Sequence, residues 1–114
     1  MELLTPAQRE KMLENGRSYN NDPSFDPVPV VKLFTPWTDC TWLLTDVDPE
    51  DNDICSGLCD LGFREPELGS VRLSEIKSIR GPAGLRVERD LHFVANKTIS
   101  EYAQEARLAG AIRA

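Results

Sequence analysis

The length of 114 residues suits one compact domain and is too short for two, and a composition with 40% hydrophobic and 28% charged residues argues against wholesale disorder and against a fibrous repeat. Thirteen basic residues against nineteen acidic ones give a formal net charge of −6 at pH 7. This balance disfavours a broad attraction to phosphate, so we expect neither direct nucleic-acid binding nor attachment to an anionic membrane.

A helix is predicted near the start of the chain, over residues 5–16. Thr5 can cap this helix, and Gln8 completes a Thr-x-x-Gln capping box. Gly16 can adopt the left-handed conformation that ends many helices. The polar, proline-containing stretch 17–29 that follows predicts a loop.

The middle of the chain, residues 30–73, has the β-branched and aromatic composition of strands. Short runs separated by turn signals favour an antiparallel meander. These runs cover residues 30–34, 41–45, 54–61 and 68–73. A further alternating run, residues 85–93, predicts one more strand.

Two helices are predicted in the last third of the chain. Apolar residues spaced by three over residues 73–79 indicate a short helix, and a second capping box opens a helix over about 98–109. The chain is therefore predicted to form a single α+β domain, residues 1–114, with a mostly antiparallel sheet of four to five strands and helices on one side. Its predicted core consists of Leu33, Trp42, Leu44, Leu58, Leu61, Val71, Leu73, Ile76, Ile79, Leu91, Phe93 and Tyr102.

Negative charge is concentrated in the middle of the chain. Between Leu33 and Phe63 there are seven acidic residues and no basic one, and five of the carboxylates fall in the predicted loop 46–53. A solvated loop is one interpretation. The other is an interaction surface for a basic partner, or a mimic of regularly spaced nucleic-acid phosphates.

A tryptophan in the predicted turn after the first strand is the second candidate for recognition. Trp37 is less expected in a turn than in a core, and it is interpreted either as a lid at the core edge or as a binding anchor. The residues predicted to bind a partner are Trp37, Asp46, Asp48, Glu50, Asp51 and Asp53.

Motifs for metal binding and catalysis are absent from the sequence. The carboxylates from Asp46 onward lack the glycine and glutamate that a calcium-binding EF-hand needs at its sixth and twelfth positions. No nucleophile elbow, phosphate loop or zinc-protease motif occurs. We therefore predict no catalytic residue, no metal site and no cofactor. A carboxylate-based, metal-assisted hydrolase centred on Asp46, Asp48 and Glu50 stays open as an alternative.

Several segments resemble a small family of bacterial proteins of unknown function, often carried on plasmids and integrative elements. The similar segments are Trp42-Leu43-Leu44-Thr45, Gly57-Leu58-Cys59-Asp60-Leu61-Gly62, Pro66-Glu67-Leu68-Gly69-Ser70-Val71, Leu73-Ser74-Glu75-Ile76 and Arg89-Asp90-Leu91-His92-Phe93. The resemblance covers most of the chain and brings no activity, cofactor or catalytic residue with it. It implies a cytoplasmic accessory protein of conjugation, element maintenance or interference with host defence.

The sequence thus predicts a non-enzymatic accessory protein of a bacterial mobile element that binds a protein partner, one of basic character, through an acidic face. Two alternatives are kept. One is an acidic nucleic-acid mimic that inhibits a host-defence or DNA-binding protein, and the other is the hydrolase described above.

Cys40, Cys55 and Cys59 are predicted to be unligated thiols. Their number is odd, their spacing fits no zinc template, and the first residues lack the basic and apolar segments of a secretory signal. The intact mass of the purified protein should match three reduced cysteines, and elemental analysis should find no stoichiometric zinc. A mass lowered by one disulfide bond, or one zinc ion per chain, would contradict the prediction.

Overall fold

The computed structural model describes residues 2–114. Within that range, helices and strands follow one another in an order typical of an α+β protein. They are α1 (Pro6–Asn21), β1 (Val31–Phe34), β2 (Thr41–Asp48), β3 (Asp51–Asp60), β4 (Glu67–Arg72), α2 (Leu73–Ser78), β5 (Glu88–Arg89) and α3 (Ile99–Ala109). A single 3-10 turn, Pro82–Gly84, lies between α2 and β5.

The strands form one open antiparallel sheet in the order β4-β3-β2-β1-β5. The first four strands are joined as consecutive hairpins, so the predicted meander and the α+β class are confirmed. The predicted strand over 85–93 is wrong for most of its length, since β5 contains only Glu88 and Arg89. The chain turns after Arg89 because the Asp90 carboxylate accepts the backbone N–H of His92 at 2.8 Å.

The helices pack on both faces of the sheet, not on one side as expected. Trp42 and Leu44 of β2 belong to a core cluster with Met12 of α1 and with α2. Leu43, between them, points to the opposite face and packs in a second cluster against Tyr102 of α3. Because three consecutive residues of β2 are buried, both faces of this strand are covered by helices.

Of the twelve predicted core residues, seven are buried, three (Val71, Ile79 and Phe93) are partly buried and two are exposed. Leu61 is 50% exposed and Leu91 is 65% exposed. Leu61 directly follows Asp60, the last residue of β3, and Leu91 lies two residues beyond the end of β5, so both are outside the sheet. Buried residues that the prediction left out include Leu3, Leu4, Met12, Val31, Val47 and Cys55.

The first helix continues to Asn21, so its predicted end at Gly16 and the predicted loop over 17–29 are wrong for residues 17–21. Gly16 lies inside the helix, at the point where the backbone of α1 comes closest to β2. A Cβ atom at Gly16 would lie 2.0 Å from the carbonyl oxygen of Val47. The glycine allows close packing of helix against strand, which is its other common role.

A β-bulge lies at the site where α1 meets β2. The register between β2 and β3 shifts between Leu44 and Asp46, which leaves Thr45 as the extra residue. Beyond Leu44, β1 no longer pairs with β2. The carbonyl of Thr45 instead accepts a hydrogen bond of 2.9 Å from Nδ2 of the buried Asn15. The pair Asn15-Gly16 therefore fixes α1 on the bulge.

No helix between residues 2 and 114 combines the length and the apolar composition needed to cross a membrane.

Gly16→Ala tests the close approach of α1 to β2. On an exposed helix surface this change should raise the free energy of unfolding by about 0.5–1 kcal/mol. Here the added methyl group must displace the Val47 carbonyl, and we expect a net loss of about 1–3 kcal/mol, typical of overpacking. Urea unfolding followed by circular dichroism measures the difference.

Gly69→Ala is the matched control for Gly16→Ala. A Cβ at Gly69, inside β4, would have no other atom within 4 Å, so the unfolding midpoint of this variant should equal or slightly exceed that of the parent. A Gly16→Ala midpoint above that of the parent would contradict the packing described for Asn15-Gly16.

Candidate functional site: the acidic hairpin and the Asp46 pocket

The acidic segment, residues 46–53, is the end of a β-hairpin and not a loop. β2 extends to Asp48 and β3 begins at Asp51, so only Pro49 and Glu50 form the turn. The Asp48 carboxylate stabilises this turn by accepting the backbone N–H of Glu50 at 2.8 Å. We call residues 46–53 the acidic hairpin.

Two carboxylates of the acidic hairpin are engaged within the fold. Arg72 of β4 lies 3.2 Å from the Asp51 carboxylate and 3.6 Å from that of Asp53. Asp53 also accepts the backbone N–H of Ser74 at 2.9 Å and its hydroxyl at 2.6 Å, which caps the start of α2. These bonds, above all the one from the Ser74 hydroxyl, lower the pKa of Asp53. Asp51 and Asp53 thus have a structural role.

Two other carboxylates remain without a cation at the tip of the acidic hairpin. Glu50 is exposed and Asp48 is partly exposed. Among residues 2–114, no basic side chain lies within 4.0 Å of either carboxylate, whereas Arg72 lies between Asp51 and Asp53. The tip is therefore the part of the hairpin that presents uncompensated negative charge.

Asp46 differs from the other acidic residues because the bulge at Thr45 places it on the sheet face that α3 covers. Register pairs Asp46 with Ser56, two residues before Leu58, whose side chain packs against α3. The carboxylate of Asp46 is partly buried and accepts the Thr45 hydroxyl at 2.6 Å. Burial raises its pKa, and the hydroxyls of Thr45 and Ser56 oppose this effect only in part.

A cavity of about 440 Å³ opens in front of Asp46. We call it the Asp46 pocket. Its walls come from three parts of the chain: the end of α1 with the segment that follows it, the sheet, and the first turn of α3. The lining residues are Tyr19, Phe25, Asp26, Pro27, Thr45, Asp46, Ser56, Gly57, Leu68, Gly69, Ser70, Ile99 and Ser100.

The wall between α1 and α3 is held by hydrogen bonds from the N-terminal turn of α3. The Asp26 carboxylate accepts the backbone N–H of Ser100 at 3.1 Å and its hydroxyl at 2.5 Å. The carbonyl of Pro27 accepts the backbone N–H of Ile99 at 2.8 Å. The Ser100 hydroxyl is the main cause of a lowered pKa at Asp26, so this carboxylate stays ionised.

Trp37 is not brought together with the acidic residues. It lies in the turn between β1 and β2, and the hairpin tip lies at the other end of β2, about 25 Å away for an eight-residue strand. A Cβ atom at Gly81 would lie 2.4 Å from the Trp37 ring, so the indole packs directly on the Gly81 backbone. Trp37 is half-buried, and its packing on Gly81 is what is expected of a lid at the edge of the core, the first of the two interpretations given for this residue.

A second cavity, of about 550 Å³, lies at the Trp37 end of β2. Its buried carboxylate, Asp60, already accepts the backbone N–H groups of Gly62 at 2.9 Å and Ile112 at 3.0 Å. Asp60 therefore anchors the C-terminal segment to the end of β3. Its hydrogen bonds give it a structural role.

Within residues 2–114, no group of three or more His, Cys, Asp or Glu side chains is arranged to hold a metal ion. Asp46 faces the pocket while Asp48 bonds to its own turn, so the carboxylates named for a hydrolase do not converge. The cysteines are free thiols, and burial raises the pKa of Cys55 to about 12, which makes that thiol unreactive.

Sequence reasoning named Asp46 but missed the rest of its pocket. Asp26, Ser56, Ser70 and Ser100 are polar residues of ordinary types, and no local pattern marks them. Asp26 and Ser100 meet only because α1 and α3 are both fixed on the sheet.

The fold and the site define a small α+β protein with a five-stranded antiparallel sheet, an acidic hairpin and, beside it, a pocket with apolar walls and two carboxylates. Residues 3–113 match the family described as "Protein of unknown function (DUF2958)". The chain therefore belongs to this family, and the resemblance to a family of unknown function is confirmed. No curated protein and no solved structure is found to be similar to the chain.

Asp46→Asn tests the electrostatic state of the pocket. Because the pKa of Asp46 is raised above 3.8, the folded protein holds this proton more tightly than the unfolded chain does. Ionisation of Asp46 therefore costs stability at higher pH. The variant, which keeps an acceptor for Thr45, should be at least as stable as the parent near pH 7. Its advantage should shrink as the pH falls through the raised pKa toward 3.8.

Asp53→Asn is the control of opposite sign. The pKa of Asp53 is lowered, so its stabilising effect is present near pH 7 and is lost as the pH falls. This variant should unfold at lower urea concentrations near pH 7 and converge on the parent in acid. Unfolding midpoints measured between about pH 4 and pH 7 compare the two. A pH dependence of the same sign in both variants would contradict the assignment for Asp46.

Proposed function

We propose that this chain is a non-enzymatic accessory protein of a bacterial mobile element that acts in the cytoplasm and binds a basic region of a protein partner. The acidic hairpin makes the contact. The observation that supports the proposal is the tip of this hairpin, where Asp48 and Glu50 have no basic neighbour within residues 2–114. The mobile element and the cytoplasm come from the family resemblance.

The distribution of charge along the hairpin favours recognition over solubility. The carboxylates that cap α2 and pair with Arg72 are compensated inside the fold. The carboxylates at the tip are held close together without compensation, although dispersed charges would serve solubility equally well. Such a concentrated negative field attracts a basic surface and accelerates its association.

The geometry gives the alternative functions less support. A nucleic-acid mimic needs a row of uncompensated carboxylates, and Arg72 interrupts that row at Asp51 and Asp53. The hydrolase needs carboxylates that converge on one point, but Asp46 lines the pocket whereas Asp48 bonds to the backbone of the hairpin turn. Trp37 lies at the opposite end of β2, so a contact through Trp37 would be separate from the hairpin contact.

The double variant Asp48→Asn/Glu50→Gln tests the proposal. Asp51 is left intact because it pairs with Arg72. The variant should fold as the parent does, because asparagine at position 48 can still accept the N–H of residue 50. Each exposed charge contributes less than ~1 kcal/mol to binding, so we expect an affinity several-fold lower at low salt, with a slower association rate.

A pull-down from the native bacterial host supplies the partner, and surface plasmon resonance at low and moderate salt measures its affinity for each variant. The matched control is Glu65→Gln/Glu67→Gln, which removes the same charge from exposed positions at the far end of β3. The control should bind as the parent does. Equal affinities and equal salt dependence for the parent and the Asp48/Glu50 variant would refute the hairpin contact.

A further inference from the structure

We propose that the Asp46 pocket binds the cationic end of one basic side chain of the partner, an arginine guanidinium or a lysine ammonium. This inference rests on the proposed function and adds a specific site to it. The tip of the acidic hairpin attracts the basic region, and the pocket, which shares Asp46 with the hairpin, receives one side chain from it.

The shape of the pocket suits a single long side chain. Its volume of about 440 Å³ lies within the usual range for sites that bind small ligands, and the pocket is open on one side. Tyr19, Phe25 and Leu68 supply apolar walls, and both Tyr19 and Leu68 are close to half-exposed. Such walls can pack along the methylene groups of arginine or lysine, and the rings can contact the cation.

The charge of the pocket selects a cation. Asp46 is partly buried, and within residues 2–114 no basic side chain lies within 4.0 Å of its carboxylate. The Thr45 hydroxyl bonds to this carboxylate but does not neutralise it, and burying a carboxylate without an opposite charge is costly, so a ligand cation would relieve that cost. Asp26 adds a second ionised carboxylate to the same lining.

Other ligand classes fit the pocket less well. The N-terminus of α3 would attract an anion, but the Asp26 carboxylate already occupies the N–H and the hydroxyl of Ser100. Phosphate would also meet the Asp46 carboxylate. A metal ion would need further ligands, and the described residues contain no group of three that could supply them.

Titration of the 114-residue protein with N-acetyl-arginine methylamide, followed by ¹⁵N–¹H NMR, tests the inference without the partner. The probe should shift the backbone amides of Phe25, Ser56 and Ser100. Nα-acetyl-lysine methylamide, whose side-chain ammonium is free, should shift the same amides. N-acetyl-citrulline methylamide, which is neutral and similar in shape to the arginine probe, should bind about tenfold or more weakly. Equal binding of the citrulline and arginine probes would overturn the inference.

Variants of the pocket sharpen this test. Asp46→Asn should weaken the arginine probe about tenfold, and Ser70→Phe should block it by filling the pocket from β4. Glu65→Gln/Glu67→Gln should change its affinity by less than about twofold. Arginine binding that survives both Asp46→Asn and Ser70→Phe, in protein shown to be folded, would overturn the inference.

The same variants separate this inference from the proposed function. If the arginine probe fails to bind while Asp48→Asn/Glu50→Gln still weakens the partner, the pocket inference is wrong and the hairpin contact stands. If the arginine probe binds and Asp46→Asn weakens it, but the hairpin variant binds the partner normally, the pocket is a cation site and the proposed hairpin contact is wrong.

Discussion

The arrangement of this protein depends on the contact between Asn15-Gly16 of α1 and the bulge in β2. The bulge takes the Thr45 carbonyl out of the strand ladder, and the Asn15 side chain satisfies it at 2.9 Å. Gly16 allows the helix backbone to come close enough for that bond. Once α1 is fixed there, the segment after it reaches the opposite face of the sheet and bonds to the first turn of α3. Within residues 2–114, every buried side-chain nitrogen or oxygen has a hydrogen-bond partner.

The same bulge also determines where Asp46 lies. The residue after it, Asp46, lies on the face opposite α1, between the sheet and α3. Its carboxylate is held in a partly buried position where its charge is disfavoured. A carboxylate whose pKa is raised by folding is disfavoured in its ionised form, so Asp46 lowers the stability of the folded protein near pH 7. The acidic residues of the hairpin thus fall into two groups: Asp51 and Asp53 pair with Arg72, and Asp46, Asp48 and Glu50 have no basic side chain within 4.0 Å among residues 2–114.

Local signals in the sequence predicted much of the fold. The capping boxes at Thr5 and Thr98 start helices at the expected residues, and the strands of the meander lie close to the expected runs. Apart from the strand expected over residues 85–93, which the local Asp90–His92 turn interrupts, the errors come from contacts that are distant in sequence. Gly16 can end a helix or admit a strand, and only the position of β2 decides between them. Likewise, Arg72 compensates the charges of Asp51 and Asp53 from the neighbouring strand β4. No basic residue lies near them in sequence, so the sequence alone does not indicate this compensation. The walls of the Asp46 pocket come from three parts of the chain that are distant in sequence. For this reason the sequence predicted only Asp46 among the residues that line it.

The bonds that close the wall of the Asp46 pocket join residues far apart in the chain, whereas the sheet is built from neighbouring hairpins. Breaking the Asp26–Ser100 and Pro27–Ile99 bonds would open the pocket while leaving the strand pairings of β1 to β4 intact. Local fluctuations of this kind require less free energy than global unfolding. In hydrogen-exchange terms, we expect the amides of Ile99 and Ser100, which bond to residues outside the sheet, to exchange faster than the amides paired between β2 and β3.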